Sequence, residues 1–223
     1  MKMKLRMRMT ETNEGIQDAG IVDQFDQMMR TMAGERRRTV EKLQCLGIEG
    51  GWALEIGPGP GYLGIDWLKA SPKSKLTALE ISPNMLRKAE QNALREGVKE
   101  RVAYVLGTAL RMPFPDRTFD FIFSNGSLHE WEQPEAVFKE IFRVLKPEGV
   151  FLVSDLKRNA TGFARFLMKA TVKPKTMRPG LISSLQAAYT SAEIKQILSR
   201  SGWQTARVTE NAFGLNIEGR KTS

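Results

Sequence analysis

The sequence predicts an α/β fold with an open, doubly wound sheet, and two observations carry that expectation. In Ala53-Leu54-Glu55-Ile56-Gly57-Pro58-Gly59-Pro60-Gly61-Tyr62-Leu63-Gly64 an apolar strand pattern runs through four glycines into an apolar helical pattern. Such glycines let the chain turn sharply and bring backbone close to a ligand, as in the cofactor loop of an open α/β sheet. Beyond this stretch, strand-like and helix-like segments alternate as far as Asp155.

Before the loop, Ile21, Val22, Phe25, Met28, Met29 and Met32 recur at helical spacing with Gly34 as a stop, which predicts a lid or packing helix outside the sheet. A second helix is expected from Arg36 to Leu46, with Arg36-Arg37-Arg38 on its solvated face. Gly51 to Ile56 reads as the first strand, Tyr62 to Ala70 as the crossover helix, and Leu76 to Glu80 as the second strand. Ser82 as N-cap and Pro83 at the first helical position open the next helix, whose buried stripe is Met85, Leu86, Ala89, Ala93 and Leu94, and Gly97 ends it.

Strands are then expected at Arg101–Leu106 and Phe119–Ser124, and a helix from Pro134 that buries Val137, Ile141, Phe142 and Leu145. Val150 to Asp155 is apolar almost throughout, as suits a strand covered on both faces. Thr190-Ser191-Ala192-Glu193 spells a capping box for a helix reaching Gly202. Trp203–Glu210 and Phe213–Arg220 read as a closing strand pair; Ile217-Glu218-Gly219-Arg220 also spells a protease recognition sequence, and we read it as native strand.

Composition narrows the function classes. At 223 residues, 41% hydrophobic and 26% charged, the chain suits one compact domain. It has no apolar run of membrane-spanning length, and the basic start Met1 to Met9 lacks the apolar core of a secretory signal. The single cysteine, Cys45, excludes an internal disulfide and fits a cytoplasmic location; with a single histidine, His129, it also excludes a Cys/His zinc site, and no metal is expected. The net charge of +9 raises nucleic acid or an anionic surface as a partner. Lys2, Lys4, Arg6 and Arg8 form a basic tail expected to be disordered. Lys157, Arg158, Arg165, Lys169, Lys173, Lys175 and Arg178 lie between Asp155 and Glu193 with no acid among them.

The glycine loop reads in two registers. Gly59, Gly61 and Gly64 fit G-x-G-x-x-G, the dinucleotide fingerprint, with Glu80 near the ribose-binding distance. Gly57, Gly59 and Gly61 fit G-x-G-x-G, preceded by the acid Glu55. Pro58 and Pro60 favour the second register, because they remove two of the backbone donors that hold a pyrophosphate.

Glu55 to Gly61, Glu80-Ile81-Ser82-Pro83-Asn84-Met85, Gly107 to Asp120 and Arg143 to Val150 together resemble, in order and spacing, the motifs of small-molecule class I S-adenosylmethionine-dependent methyltransferases, the group that includes the ubiquinone/menaquinone methyltransferases. The resemblance covers about residues 45 to 155. It implies a Rossmann-like sheet of seven strands with an N-terminal helical lid, divided as residues 1–45, basic tail and lid, and 46–223, the cofactor-binding domain with a substrate cap near 157–189. It also implies S-adenosylmethionine as cofactor. Glu55, Gly57, Gly59 and Gly61 would form the floor beneath its methionine and ribose, Glu80 would bind the ribose, and Ile81 and Met85 would pack by the adenine. Thr108 and Ala109 would border the adenine edge, and Asn125 would lie at the site. Thr108 stands where the family often has Asp, which leaves the adenine amino contact with only a neutral hydroxyl.

Ser124-Asn125-Gly126-Ser127-Leu128-His129-Glu130-Trp131 resembles the family's Leu-His-His-Trp stretch, with Glu130 in place of the second His. His129 is a candidate general base, or else a structural or substrate-orienting group. The expected reaction is methyl transfer to a small acceptor, apolar or aromatic and bearing acidic groups, or drawn from an anionic membrane surface; the basic segment after Asp155 and the apolar Phe163, Phe166, Leu167 and Met168 motivate that expectation. An RNA or protein methyltransferase is the rival that explains the charge, and a nicotinamide-dependent oxidoreductase or a non-catalytic nucleotide binder is the other.

Overall fold

Seven strands form one sheet in the order β3-β2-β1-β4-β5-β7-β6. They are β1 (Gly51–Ile56), β2 (Ser74–Glu80), β3 (Val102–Leu106), β4 (Phe119–Asn125), β5 (Leu145–Leu156), β6 (Arg207–Glu210) and β7 (Gly214–Arg220). The computed structural model describes residues 7–11, 15–47 and 50–222. The first five strands pair in parallel, and β7 runs antiparallel to both β5 and β6. The order reverses between β1 and β4, so the carboxyl ends of these two strands flank the crevice where ligands of such sheets bind.

Side-chain alternation along the parallel strands feeds two cores. On one face Phe151, Ile56 and Ile122 pack with Phe138 and Ile141 of α5 (Pro134–Val144) and Ile194 of α8 (Ser191–Arg200). On the other, Leu152, Ala53 and Phe123 pack with Leu43 of α2 (Ala33–Cys45) and with Trp67 and Leu68 of α3 (Tyr62–Ala70). The Thr190–Glu193 capping box and the Ser82 cap with Pro83 at the start of α4 (Pro83–Arg95) form as their residues require. The Ile217–Arg220 stretch is β7, in register with β5.

Four local expectations change. Gly34 does not stop a helix: α1 (Ala19–Thr31) ends earlier and α2 begins at Ala33, carrying Gly34 in its first turn. Arg36 is buried rather than solvated, because its guanidinium pairs with Asp66 at 2.8 Å, bonds the Met29 carbonyl and lies 5.0 Å from the Tyr62 ring centre. Leu94 is 71% exposed, and the polar Asn92 takes the buried place on α4. Asn92 earns burial by donating to both Asp26 of α1 and the Pro60 carbonyl at 2.8 Å, which fastens α1 to the glycine loop. Arg8, expected in a disordered tail, is fixed by hydrogen bonds; the rest of that expectation falls on residues outside those described.

After β5 come α6 (Gly162–Thr171) and α7 (Arg178–Ala187). The seven cations of this region are not all uncompensated, because acids from elsewhere in the chain reach them. Lys157 pairs with Glu210 at 3.7 Å, buried Arg158 pairs with Glu193, and Arg165 donates to backbone carbonyls. Lys169, Lys173 and Lys175 remain exposed. Among the described residues no helix is long and apolar enough to cross a membrane.

Candidate active site

The loop after β1 is held by its own hydrogen bonds. Gly57 donates to the Leu79 carbonyl at 2.9 Å, Gly61 to the Pro58 carbonyl at 3.0 Å, and Gly59 to Glu80 Oε2 at 3.0 Å. Since Pro58 and Pro60 have no N–H, every backbone donor from 57 to 61 is already engaged. All three glycines have left-handed backbones, with φ of 65°, 53° and 82°, so the alternation with proline leaves no place for another residue type. A Cβ at Gly57 would also meet Ser127 Cβ at 2.7 Å.

Glu80 ends β2 beneath this loop, 6% exposed. Its Oε1 accepts from the Ile81 and Ser82 amides at 2.9 Å, and with Gly59 on Oε2 three of a carboxylate's roughly four acceptor sites are filled. Burial pushes its carboxyl above the usual range, and these amides offset part of that. Ile81 and buried Met85 follow at the start of α4. The Thr108 hydroxyl accepts from the Leu110 amide at 3.2 Å, Ala109 packs against the larger core, and Asn125 is exposed at the end of β4.

Glu55 lies deeper, 3% exposed, and its Oε2 has no hydrogen-bond partner. Burial, with the nearby charge of Glu80, raises its carboxyl to about 8. A Cβ at Gly64 would overlap this carboxylate, so the fourth glycine is required by close packing rather than by its backbone angle.

Across the crevice, a single helical turn, Leu128–Glu130, buries His129 to 6% exposure. Asp155, at the carboxyl end of β5, accepts from the His129 backbone amide at 2.7 Å and lies 2.9 Å from Nδ1. That contact turns Nε2 outward, where Glu11 Oε2 stands 3.4 Å away. Burial works against charge on the imidazole, but Asp155 beside it, then Glu130 and Glu11, prevail and raise it to about 9. Glu130 is pushed up to about 7, chiefly by burial; His129 opposes that rise while Glu11, Glu80 and Asp155 add to it. Glu11, His129 and Glu130 bring ligand-type atoms within 4.8 Å of one another, with His129 Nε2 and Glu11 Oε2 3.4 Å apart.

The fold therefore gathers Glu55, Gly57, Gly59, Gly61, Glu80, Ile81 and Met85 on one side of the crevice and His129 on the other. Thr108 and Ala109 follow β3, the Thr108 oxygen accepting in a local turn and Ala109 partly packed against the larger core. Sequence reasoning missed Asp155, whose signal was its place near the carboxyl end of an apolar strand, much as Glu80 ends another. It also missed Ser124 and Ser127, hydrogen-bonded at 2.6 Å, of which Ser124 donates to the Ile56 carbonyl to tie β4 to β1. Glu11 had no sequence signal.

This sheet order, with a glycine loop after β1 and an acid ending β2, is the expected architecture, and known methyltransferases are similar to the chain over it. Residues 54–153 match the family model described as a methyltransferase domain. Over 108 residues the chain is 33% identical to an erythromycin 3''-O-methyltransferase of Saccharopolyspora erythraea, covering 48% of this chain and 35% of that one. Over 114 residues it is 30% identical to a demethylmenaquinone methyltransferase of Symbiobacterium thermophilum, covering 51% and 45%. A solved structure described as an S-adenosylmethionine-dependent methyltransferase of Methanococcus maripaludis superposes with a TM-score of 0.77 at 23% identity, covering 96% of this chain and 98% of that one, which is a likeness of fold. The chain thus spans less than half the length of these two curated relatives.

A pH prediction follows from Glu55. Its carboxyl is raised in the folded state, so its contribution to stability is complete below about 4.5 and is lost as pH rises through about 8. Urea unfolding across that interval should show Glu55→Gln losing this dependence, with the variant gaining on the parent toward alkaline pH. Parallel curves would mean that Glu55 is ionised throughout.

Proposed function

We propose that this protein transfers a methyl group from S-adenosylmethionine to a hydroxyl of a small-molecule acceptor. The observation that carries the reading is the closed set of loop hydrogen bonds. A pyrophosphate needs free backbone donors, and the three in this loop are spent on Leu79, Glu80 and Pro58. The Glu80 carboxylate, held by three backbone amides at the crevice, suits a sulfonium cation better than an anion. The cofactor fits the residues present: Glu80 keeps one acceptor site for a ribose hydroxyl, and we assign Glu55, Gly57, Gly59, Gly61, Ile81, Met85, Thr108, Ala109 and Asn125 to the adenosine and methionine portions.

When bound, the cofactor supplies a methyl carbon on a good leaving group, so the protein's part is to align the acceptor, exclude water and manage one proton. Asp155 fixes the His129 ring through Nδ1 and leaves Nε2 to orient an acceptor hydroxyl and take its proton. The names of the relatives, which act on an antibiotic and a quinone precursor, support a small-molecule acceptor over RNA or protein. Residues 1–45 serve as tail and lid, and 157–189 as the acceptor's cap. We place the protein in the cytoplasm, where the exposed thiol of Cys45 stays reduced.

A membrane-facing role for the cap is favoured by α6, on which Phe163 and Phe166 are 72% and 65% exposed near the free Lys169, Lys173 and Lys175. Co-sedimentation with phosphatidylglycerol vesicles, lost in Phe163→Ala/Phe166→Ala and at high salt, is the expected result; equal sedimentation with neutral vesicles would remove the electrostatic part of this reading.

The activity is tested by transfer of labelled methyl groups from S-adenosylmethionine into a host metabolite extract, with the labelled product identified. Glu80→Ala should bind S-adenosylhomocysteine about ten- to a hundredfold more weakly, the effect of losing a charge-assisted hydrogen bond, while remaining folded by thermal melting. Unchanged affinity would place the ribose elsewhere.

A further inference from the structure

Two stretches near the N-terminus, residues 7–11 and 15–18, are tied down on opposite sides of the crevice. On the cap side, Arg8 donates to the carbonyls of Ala187 at 2.5 Å and His129 at 2.8 Å, its guanidinium lies 4.1 Å from the Tyr189 ring centre, and the Met9 amide bonds Gln186. On the cofactor side, Ser82 and Asn84 donate to the carbonyls of Ile16 and Gln17 at 2.5 Å, and Gly15 packs so closely on Ile81 that a Cβ would meet it at 3.0 Å. Between these anchors, Glu11 places its carboxylate at the outward nitrogen of His129.

The groups facing His129 explain what this contact does. Asp155 from β5 holds Nδ1, Glu130 comes from the same turn, and Glu11 comes from the stretch 7–11. Arg8 spends its donors on carbonyls, and the Tyr189 hydroxyl is engaged by Trp131. The imidazole is thus clasped between two carboxylates and held as a cation, a state that cannot take a proton from an acceptor. Removing Glu11 leaves the Asp155 contact intact while freeing Nε2 and lowering the basicity of the ring.

We propose that residues 7–11 form a strap at the acceptor entrance and that Glu11 is its latch, occupying at His129 Nε2 the place of the acceptor hydroxyl, which gains the imidazole only by displacing Glu11. The proposal rests on the reading of the His129 side as the acceptor side. The acceptor's reacting end is then an uncharged hydroxyl, since an anion would meet Glu11, Glu130 and Asp155, while any acidic groups it carries are met farther out by Lys169, Lys173 and Lys175. The latch is complete below the imidazole's ordinary value of 6.5 and is lost as pH rises through about 9.

His129 is the chain's one histidine, so its ring resonances titrate without overlap in the full-length protein and need neither cofactor nor acceptor. The parent should titrate well above the ordinary imidazole range, and Glu11→Gln should lower that midpoint by about one pH unit. Labelled methyl transfer into a dilute metabolite extract should rise in Glu11→Gln, and its acidic limb should move down with the imidazole. An unmoved midpoint, or reduced transfer with a moved midpoint, would overturn the latch, as would transfer abolished by a chelator and restored by a divalent cation. Binding of S-adenosylhomocysteine, measured separately, tells these outcomes from failure of the methyltransferase reading itself.

Discussion

The Glu80 carboxylate, buried and bonded to three backbone amides, is the constraint on which the cofactor side depends. It fixes the loop after β1 against the carboxyl end of β2 and fills a need the loop creates. Pro58 and Pro60 take two donors away, Gly57 and Gly61 find carbonyls, and Gly59 would be the orphan without Glu80. The proline-glycine alternation and the strand-ending acid are therefore one device, and the device leaves no loop amide for a phosphate. Asn92 extends it by joining Pro60 to Asp26, which holds α1 over the loop.

Opposite charges are separated across the molecule. Part of the excess of positive charge suggested by the net +9 lies on the tail and the cap, whereas the crevice has Glu80 on one side and Asp155, Glu130 and Glu11 around a single histidine on the other. Each buried acid raises its neighbours because water is excluded there. Asp155 and Glu80 arise in the same way, as acids at the carboxyl ends of parallel strands that open on the crevice.

Much of this was legible because it is local. The strand-to-helix step at the glycines, the Ser82 and Thr190 caps and the last strand depend on residues close in sequence. The parts that were not legible depend on partners far along the chain. Arg36 reads as solvated until Asp66 and the Met29 carbonyl are brought to it, and Asn92 reads as a surface residue until α1 and Pro60 meet it. Glu11, more than a hundred positions from His129, carries no periodic or compositional mark at all.

The central claim, that this loop receives a sulfonium nucleoside rather than a dinucleotide, is tested most directly by calorimetric titration of the full chain with S-adenosylhomocysteine and, separately, with NADH. The account predicts saturable binding of S-adenosylhomocysteine at one site per chain and no heat from NADH. Saturable NADH binding displaced by S-adenosylhomocysteine, or NADH binding alone, would contradict it.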